Sequence, residues 1–335
     1  MARSTRGATS GGGFDMAEPA TAVPPDASKD VPNAVDAMLA PIRELGLEQY
    51  VAELEQYGYT VIPPERVATP EFVERVRDAV LRVAHERTGV EHALNRSGAA
   101  GSYETFPIRS DQYLLYYLLF EDEVFEEWLE NPALAAVVDY MMGGQAQLSS
   151  MVSFVKWRDP NAKPGDPATG LHSDSPGSPE GLLPFSHSNV CNVALCLTDY
   201  TRDDGCIAMV PGSHRLGRVP RPDEGVDRAV PVEGPTGSLI AWLGNTWHGA
   251  FPKLTEGLRL NVTSYHCHPA LKTQEHYAEA VPEEMLARRS ERFRHLVGAY
   301  EPLGWTVNGP DEDRMIKQLA WITGYDEDTI RAASL

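Results

Sequence analysis

Three side chains in this sequence have the types and the spacing to grip one metal ion. His172 and Asp174 stand two residues apart in the run Gly170-Leu171-His172-Ser173-Asp174-Ser175, after a β-type segment and before a Pro/Gly loop. On an extended backbone, residues i and i+2 share a face, so this imidazole and this carboxylate can close on the same ion. A His-x-Asp pair alone arises by chance. Its weight comes from His248 on a later β-type segment and from Arg259, eleven residues further on. Two imidazoles and one carboxylate on one side of an ion leave the other side open, the 2-His-1-carboxylate set of non-haem Fe(II) oxygenases. The open positions suit a chelating 2-oxo acid and O2. The far carboxylate of 2-oxoglutarate then calls for a cation that is always charged and bidentate, which is guanidinium chemistry. Arg259 supplies it from a strand at 258–268. The short loop 251–257 allows that strand to pair with the strand of His248, and Asn261 and Thr263 share its face.

The elements that must position these residues fall into three blocks. Residues 1–30 lack periodicity and read as a disordered tail. Helical spacing follows at Val35, Met38, Leu39 and Ile42 with Gly46 as a stop, then a short strand at 58–62. Thr69-Pro70-Glu71 has the order of an N-cap, a first-turn proline and an acidic first turn; it opens a helix with Phe72, Val73, Val76, Val80 and Val83 on one face, ending near Gly89. Residues 90–110 read as a loop able to lie over a site, and 111–129 and 132–142 as two helices. From 146 the pattern changes to short segments rich in Val, Leu, Ile and Thr, at 146–157, 190–198, 206–211, 238–243, 246–250 and 258–268. Short strands without intervening helices predict a sandwich or barrel, not a parallel α/β sheet. Pro282-Glu283-Glu284 then opens a closing helical stretch with Met285, Leu286, Phe293, Leu296 and Val297. The expectation is one α+β domain over 31–335, with a β core at about 146–270 and a helical cap at 271–335.

Composition narrows the function classes. A net charge of −19 argues against nucleic acid or an anionic membrane as partner. No apolar run approaches the ~18 residues of a membrane span, and Gly, Ser and Thr stand where a signal peptide would be apolar. Cys191, Cys196, Cys206 and Cys267 lack C-x-x-C spacing and lie in apolar runs, as buried thiols of a reduced cytoplasm would. The oligomeric state is not legible.

Taken in order, Gly58-Tyr59-Thr60-Val61-Ile62, His172-Ser173-Asp174, Asp204-Gly205-Cys206 leading into Val210-Pro211-Gly212-Ser213-His214, Trp247-His248-Gly249 and Arg259 carry a resemblance over about residues 48–270. The chain resembles the phytanoyl-CoA dioxygenase (PhyH) family of Fe(II)/2-oxoglutarate-dependent oxygenases. The resemblance implies a double-stranded β-helix (jelly-roll) core flanked by helices. It also implies His172, Asp174 and His248 as iron ligands, Arg259 as the 2-oxoglutarate clamp, and O2 as cosubstrate. Two departures from the family pattern are Ala250, where a hydroxyl residue often follows the distal histidine, and Asn192 and Ala194, where some members carry a tryptophan. Arg259 is therefore expected to lean on Asn192, Asn261 or Ser153. The intact Asp174 argues for hydroxylation, desaturation or another oxidation over halogenation.

Other readings stay open at this point. Each histidine alone reads as a satisfied polar residue, and Arg259 alone as a salt-bridge residue. His266 and His268 form a second His-x-His without a nearby carboxylate and read as structural, as does His214 in its turn. Tyr113, Tyr116 and Tyr117 read as core. The apolar stretch within 175–189 is a plain loop or a water-excluding lid, and it suggests a small, largely apolar substrate. An acyl-CoA is the nearest variant, with Lys163, Arg215 and Arg218 as the cations for its phosphates. A metal-dependent hydrolase or isomerase on a cupin-like barrel, or a silent metal- or ligand-binding protein, are the alternatives of other classes.

Overall fold

The computed structural model describes residues 34–95, 111–175, 188–301, 303 and 305–334. The N-terminal tail and most of the two loops expected to border the site (96–110 and 176–187) lie outside the described residues.

Mixed helix and sheet is the outcome. Among the described residues ten strands form two sheets: β1 (Tyr59–Ile62), β2 (Gln112–Leu115), β3 (Gln147–Lys156), β4 (Thr169–His172), β5 (Val190–Cys196), β6 (Ile207–Met209), β7 (Val230–Val232), β8 (Leu239–Leu243), β9 (His248–Ala250) and β10 (Asn261–Cys267). The larger sheet has the order β1-β8-β5-β10-β3-β2 and the smaller β4-β9-β6-β7. Every pairing within them is antiparallel. Helices α1 (Ala34–Glu44), α2 (Glu48–Tyr57), α3 (Pro70–Thr88), α4 (Glu123–Leu129) and α5 (Pro132–Met142) precede the main strands; α6 (Tyr277–Ala280), α7 (Glu283–Arg288), α8 (Glu291–Leu296), α9 (Glu312–Thr323) and α10 (Glu327–Ser334) follow them.

Local signals account for the helix ends. The Thr69 hydroxyl accepts from the Phe72 amide ahead of Pro70, and Gly89 closes α3 in the left-handed region at φ 67°. Asn131 caps α5 by accepting from the Ala133 and Leu134 amides. Hydrophobic burial then joins helices to sheet. Val76, Val80 and Val83 of α3, Leu134 and Val138 of α5 and Phe293 of α8 share one core with Val193, Leu195, Leu239 and Val262 of the larger sheet. A smaller core lies between the sheets, where Ala194, Cys196, Ile240 and Trp242 meet Ile207, Met209, Val232 and Phe251.

Two expectations about elements are corrected. Residues 111–129 are not one helix: β2 pairs Gln112–Leu115 with Lys156–Ser153, a 3-10 turn spans Leu118–Phe120, and only α4 is helical. Tyr113 is buried on that strand while Tyr116 is exposed, so only part of the tyrosine group is core. The strand after Arg259 does not pair with the strand of His248. β10 lies between β3 and β5 in the larger sheet, whereas β9 belongs to the smaller one. The 251–257 segment therefore crosses from one sheet to the other instead of making a hairpin. All four cysteines are buried free thiols, as expected. Among the described residues no helix is long and apolar enough to cross a membrane.

Candidate metal centre

β4 and β9 pair so that His172 stands directly opposite His248, which brings the two rings to a centroid separation of 4.3 Å. The strands approach closely here. A Cβ on Gly249 would run into the Thr169 carbonyl, so only glycine can follow His248. Asp174 lies beyond the end of β4, so strand alternation does not explain its position. One carbonyl does: Gly244 O accepts from the Asp174 amide (2.9 Å), the Ser175 amide (3.1 Å) and the Ser173 hydroxyl (2.9 Å). A side chain at Gly244 would collide with Val190. The sequence held no visible signal for that glycine's role.

Donor atoms of His172, Asp174 and His248 all lie within 4.8 Å of one another. His172 Nδ1 is 2.7 Å from Gly170 O and His248 Nδ1 is 3.0 Å from Thr246 O. A carbonyl only accepts, so both Nδ1 atoms carry hydrogen, and on a neutral ring Nε2 then keeps a lone pair. Those lone pairs face carboxylate oxygens: His172 Nε2 is 3.3 Å from Asp174 Oδ1, and His248 Nε2 is 3.3 Å from Asp174 Oδ2. Acceptor facing acceptor needs a proton on each ring or a cation among the three groups. Burial lowers the pKa of His248 against the pull of Asp174, which disfavours the proton there. Burial also pushes the Asp174 carboxyl up, but His248, His172 and the Asn192 amide outweigh it and its pKa ends below the usual value. Two imidazoles turned by their Nδ1 hydrogen bonds toward one carboxylate are a donor set that suits Fe(II).

The second half of the site lies deeper between the sheets. Arg259 is 3% exposed, its Nε has no partner, and its guanidinium sits 4.9 Å from the centre of the Tyr200 ring. Among the described residues no carboxylate pairs with it. Its main chain is fixed by reciprocal hydrogen bonds with Lys156 (3.0 and 2.8 Å). The Lys156 ammonium is also buried; it donates to Phe251 O at 3.0 Å and lies 3.4 Å from Asp111. Burial and the nearby Arg259 push its pKa down to about 8. Buried positive charge in such excess is costly without an anion. A dicarboxylic ligand reaching Arg259 fits that deficit.

The remaining expected contacts divide. Asn261 shares the face of Arg259, accepts from the Phe154 amide at 3.0 Å and donates to Thr263 at 3.0 Å. Asn192 is elsewhere: its amide donates to Asp174 Oδ2 at 2.7 Å, so it serves the carboxylate and not Arg259. Ser153 is not at the site. It lies on the opposite face of β3 with Met151 and Val155, both in the helix-side core, because Val152 is the residue in register with Thr263. Trp242, 5.3 Å from the His248 ring, and Tyr265, whose hydroxyl is 3.4 Å from the Asp174 carbonyl, were not anticipated. Trp242 and Tyr265 are the register partners of Asn192 on its two sides. Only the pairing reveals that row.

The features expected to be structural behave so. His266 is fully buried and His214 sits in a 3-10 turn. The cations considered for an acyl-CoA are occupied or dispersed: Arg218 pairs with Glu224 at 2.7 Å, Arg215 donates to the Glu55 carbonyl, and Lys163 is exposed.

Known proteins bear on this geometry. The family model described as phytanoyl-CoA dioxygenase (PhyH) matches residues 54–261. Dioxygenase af480 of Aspergillus fumigatus is 26% identical over 279 residues, which cover 79% of this chain and 81% of that protein. Dioxygenase cdmA of Talaromyces verruculosus is 27% identical over 178 residues, 48% of this chain and 52% of that protein. Among solved structures, HygX from Streptomyces hygroscopicus with nickel, 2-oxoglutarate and hygromycin B bound is similar in fold. It is 18% identical, has a TM-score of 0.50, and the match covers 67% of this chain and 88% of that one.

Proposed function

The chain belongs to the phytanoyl-CoA dioxygenase (PhyH) family and is an Fe(II)/2-oxoglutarate-dependent dioxygenase, and from that premise we propose which residues carry the reaction and what it acts on. His172, Asp174 and His248 hold the iron, and Arg259, with Asn261 beside it, binds the far carboxylate of 2-oxoglutarate. The two sheets are the halves of a double-stranded β-helix within one domain over residues 31–335. The observation that carries this reading is the convergence of both Nε2 atoms on Asp174, with Arg259, which no carboxylate among the described residues offsets, deeper in the same interior. Ferrous iron, when bound, supplies the chemistry that couples decarboxylation of the oxo acid by O2 to oxidation of a substrate. The chain's own residues fix the tautomers of the ligands, aim the carboxylate and anchor the diacid.

The substrate is a small, largely apolar metabolite, hydroxylated or otherwise oxidised, for instance by desaturation. An acyl-CoA is less well served, because Arg215 and Arg218 are already engaged within the chain. The test is anaerobic loading with Fe(II) and 2-oxoglutarate followed by O2, with succinate as the readout. The wild-type chain releases succinate even without substrate, and His248→Ala loses at least about 1,000-fold. Equal succinate from both, or none from the wild type with any of a panel of substrates, defeats the assignment.

A further inference from the structure

A hydroxyl in the same interior plays no part in the reading so far. Tyr200 lies between β5 and β6, is 1% exposed, and its ring centre is 4.9 Å from the Arg259 guanidinium. Reciprocal hydrogen bonds of 2.8 and 3.0 Å tie its main chain to Gly234, so the hydroxyl is not what holds the residue in place. That hydroxyl is buried and has no hydrogen-bond partner of good geometry among the described residues. A buried tyrosine hydroxyl normally has one.

The side chains around it offer its proton no good acceptor. Arg259 carries donors only. Asn261, close to the ring, turns its oxygen to the Phe154 amide and its NH2 to Thr263. Cys196 and Cys206 are thiols, which accept weakly. Burial pushes the Tyr200 pKa up against the opposing pull of Arg259, so the hydroxyl keeps its proton. An acceptor that fits beside both a guanidinium and a phenol is an anionic oxygen. We propose, resting on the oxo-acid assignment above, that the Tyr200 hydroxyl donates to the far carboxylate of 2-oxoglutarate alongside Arg259. The strand of His248 does not supply such a donor, because the residue sharing the face of His248 is Ala250. The connection between β5 and β6 brings one in instead. Ring and hydroxyl then have separate tasks: the ring lies against the guanidinium, and the hydroxyl takes a ligand oxygen.

The experiment is a calorimetric titration of the Co(II)-loaded full chain, without O2, with two oxo acids. One is 2-oxoglutarate. The other is 2-oxobutyrate, which keeps the chelating end and has no far carboxylate. Tyr200→Phe retains the ring against Arg259 and removes only the hydroxyl. It is expected to bind 2-oxoglutarate about 10- to 100-fold more weakly, the worth of one hydrogen bond to a charged group, and to bind 2-oxobutyrate as the wild type does. Urea unfolding of the metal-free variant is expected to match or exceed wild type, because no bond within the fold is lost. Should phenylalanine prevent folding, Tyr200→Leu is read by the same ratio between the two oxo acids. Affinity for 2-oxoglutarate within about twofold of wild type, equal losses for both oxo acids, or a loss of stability in Tyr200→Phe each overturn the proposal. Arg259→Met, titrated alongside, separates the two levels. If it keeps the wild-type preference for 2-oxoglutarate, the clamp assignment itself fails; if it alone loses that preference, only the role of Tyr200 does.

Discussion

The two sides of the larger sheet bury charge in opposite ways. On the helix side the chain supplies its own partners. Glu126, 1% exposed, takes Arg288 at 3.0 Å through Nε and Arg289 at 2.7 Å. Glu275, 3% exposed, accepts from the Tyr117 and Met151 amides at 2.7 and 3.0 Å and from the Tyr277 hydroxyl. On the side facing the smaller sheet, Arg259 is buried to the same degree and no carboxylate among the described residues pairs with it, while Lys156, 3.4 Å from Asp111, adds a second cation near it. Full burial without a counterion is unstable unless something outside the chain completes it. On the function proposed above, the side left incomplete is the one that 2-oxoglutarate would finish.

That contrast is broken most readily at Glu126. Glu126→Ala leaves Arg289, only 13% exposed, with Glu130 at 3.4 Å as its remaining carboxylate. Arg288 is 40% exposed and can turn to water, so the loss belongs at the low end of the range for a broken buried pair, about 3 kcal/mol. Urea unfolding should show that loss, with Co(II) binding unchanged. Arg259→Met should do the reverse. Removing a buried cation that no carboxylate among the described residues offsets leaves the metal-free chain as stable as before or more so. The same change raises the KM for 2-oxoglutarate on the order of 100-fold, the size expected when one member of a buried charge pair is lost. A melting temperature that falls as far as in Glu126→Ala would show that Arg259 is paired in solution, and the comparison between the two sides would fail.

How much of this was legible in the sequence depended on whether a feature is local. Residue type and spacing single out His172, Asp174, His248 and Arg259, and the donor atoms of the first three do lie within 4.8 Å of one another. Helix ends were legible at Thr69 and Asn131 for the same reason: a cap acts within a few residues of itself. What depended on long-range pairing was not. Tyr113, Tyr116 and Tyr117 stand at helical spacing, yet Tyr113 is held extended by Val155, some forty residues away. β3 is buried on both sides and its composition carries no alternation, so the sequence does not tell which face Ser153 takes. Asn192 lies near the expected site but donates to Asp174 and not to Arg259. Its bond to Asp174 follows from a loop carbonyl at Gly244 that no spacing rule connects to either residue.

His266 sharpens the comparison, because it is a buried polar group on the helix side that lacks what Glu126 has. It is fully buried, stands in register with Cys191 and Leu148, and neither ring nitrogen has a hydrogen-bond partner of good geometry among the described residues. Burial first, and the charge of Arg292 second, push its pKa down to about 3. The ring therefore stays neutral where an exposed histidine would not, which is why the fold tolerates it while Arg259, always charged, needs an anion. Its cost emerges only in acid. Between the ordinary histidine value of about 6.5 and the folded value, the unfolded chain binds a proton that the folded chain does not, so stability falls as pH drops through that window. At pH 5 the loss from this one residue is about 2 kcal/mol relative to pH 8. His266→Leu removes it. The difference in unfolding free energy between the leucine variant and wild type should accordingly shift by that amount in favour of the variant on going from pH 8 to pH 5, in urea titrations at the two pH values. A difference that does not change with pH would mean that His266 takes up a proton inside the fold, and charge would then be carried on the helix side without a partner as well.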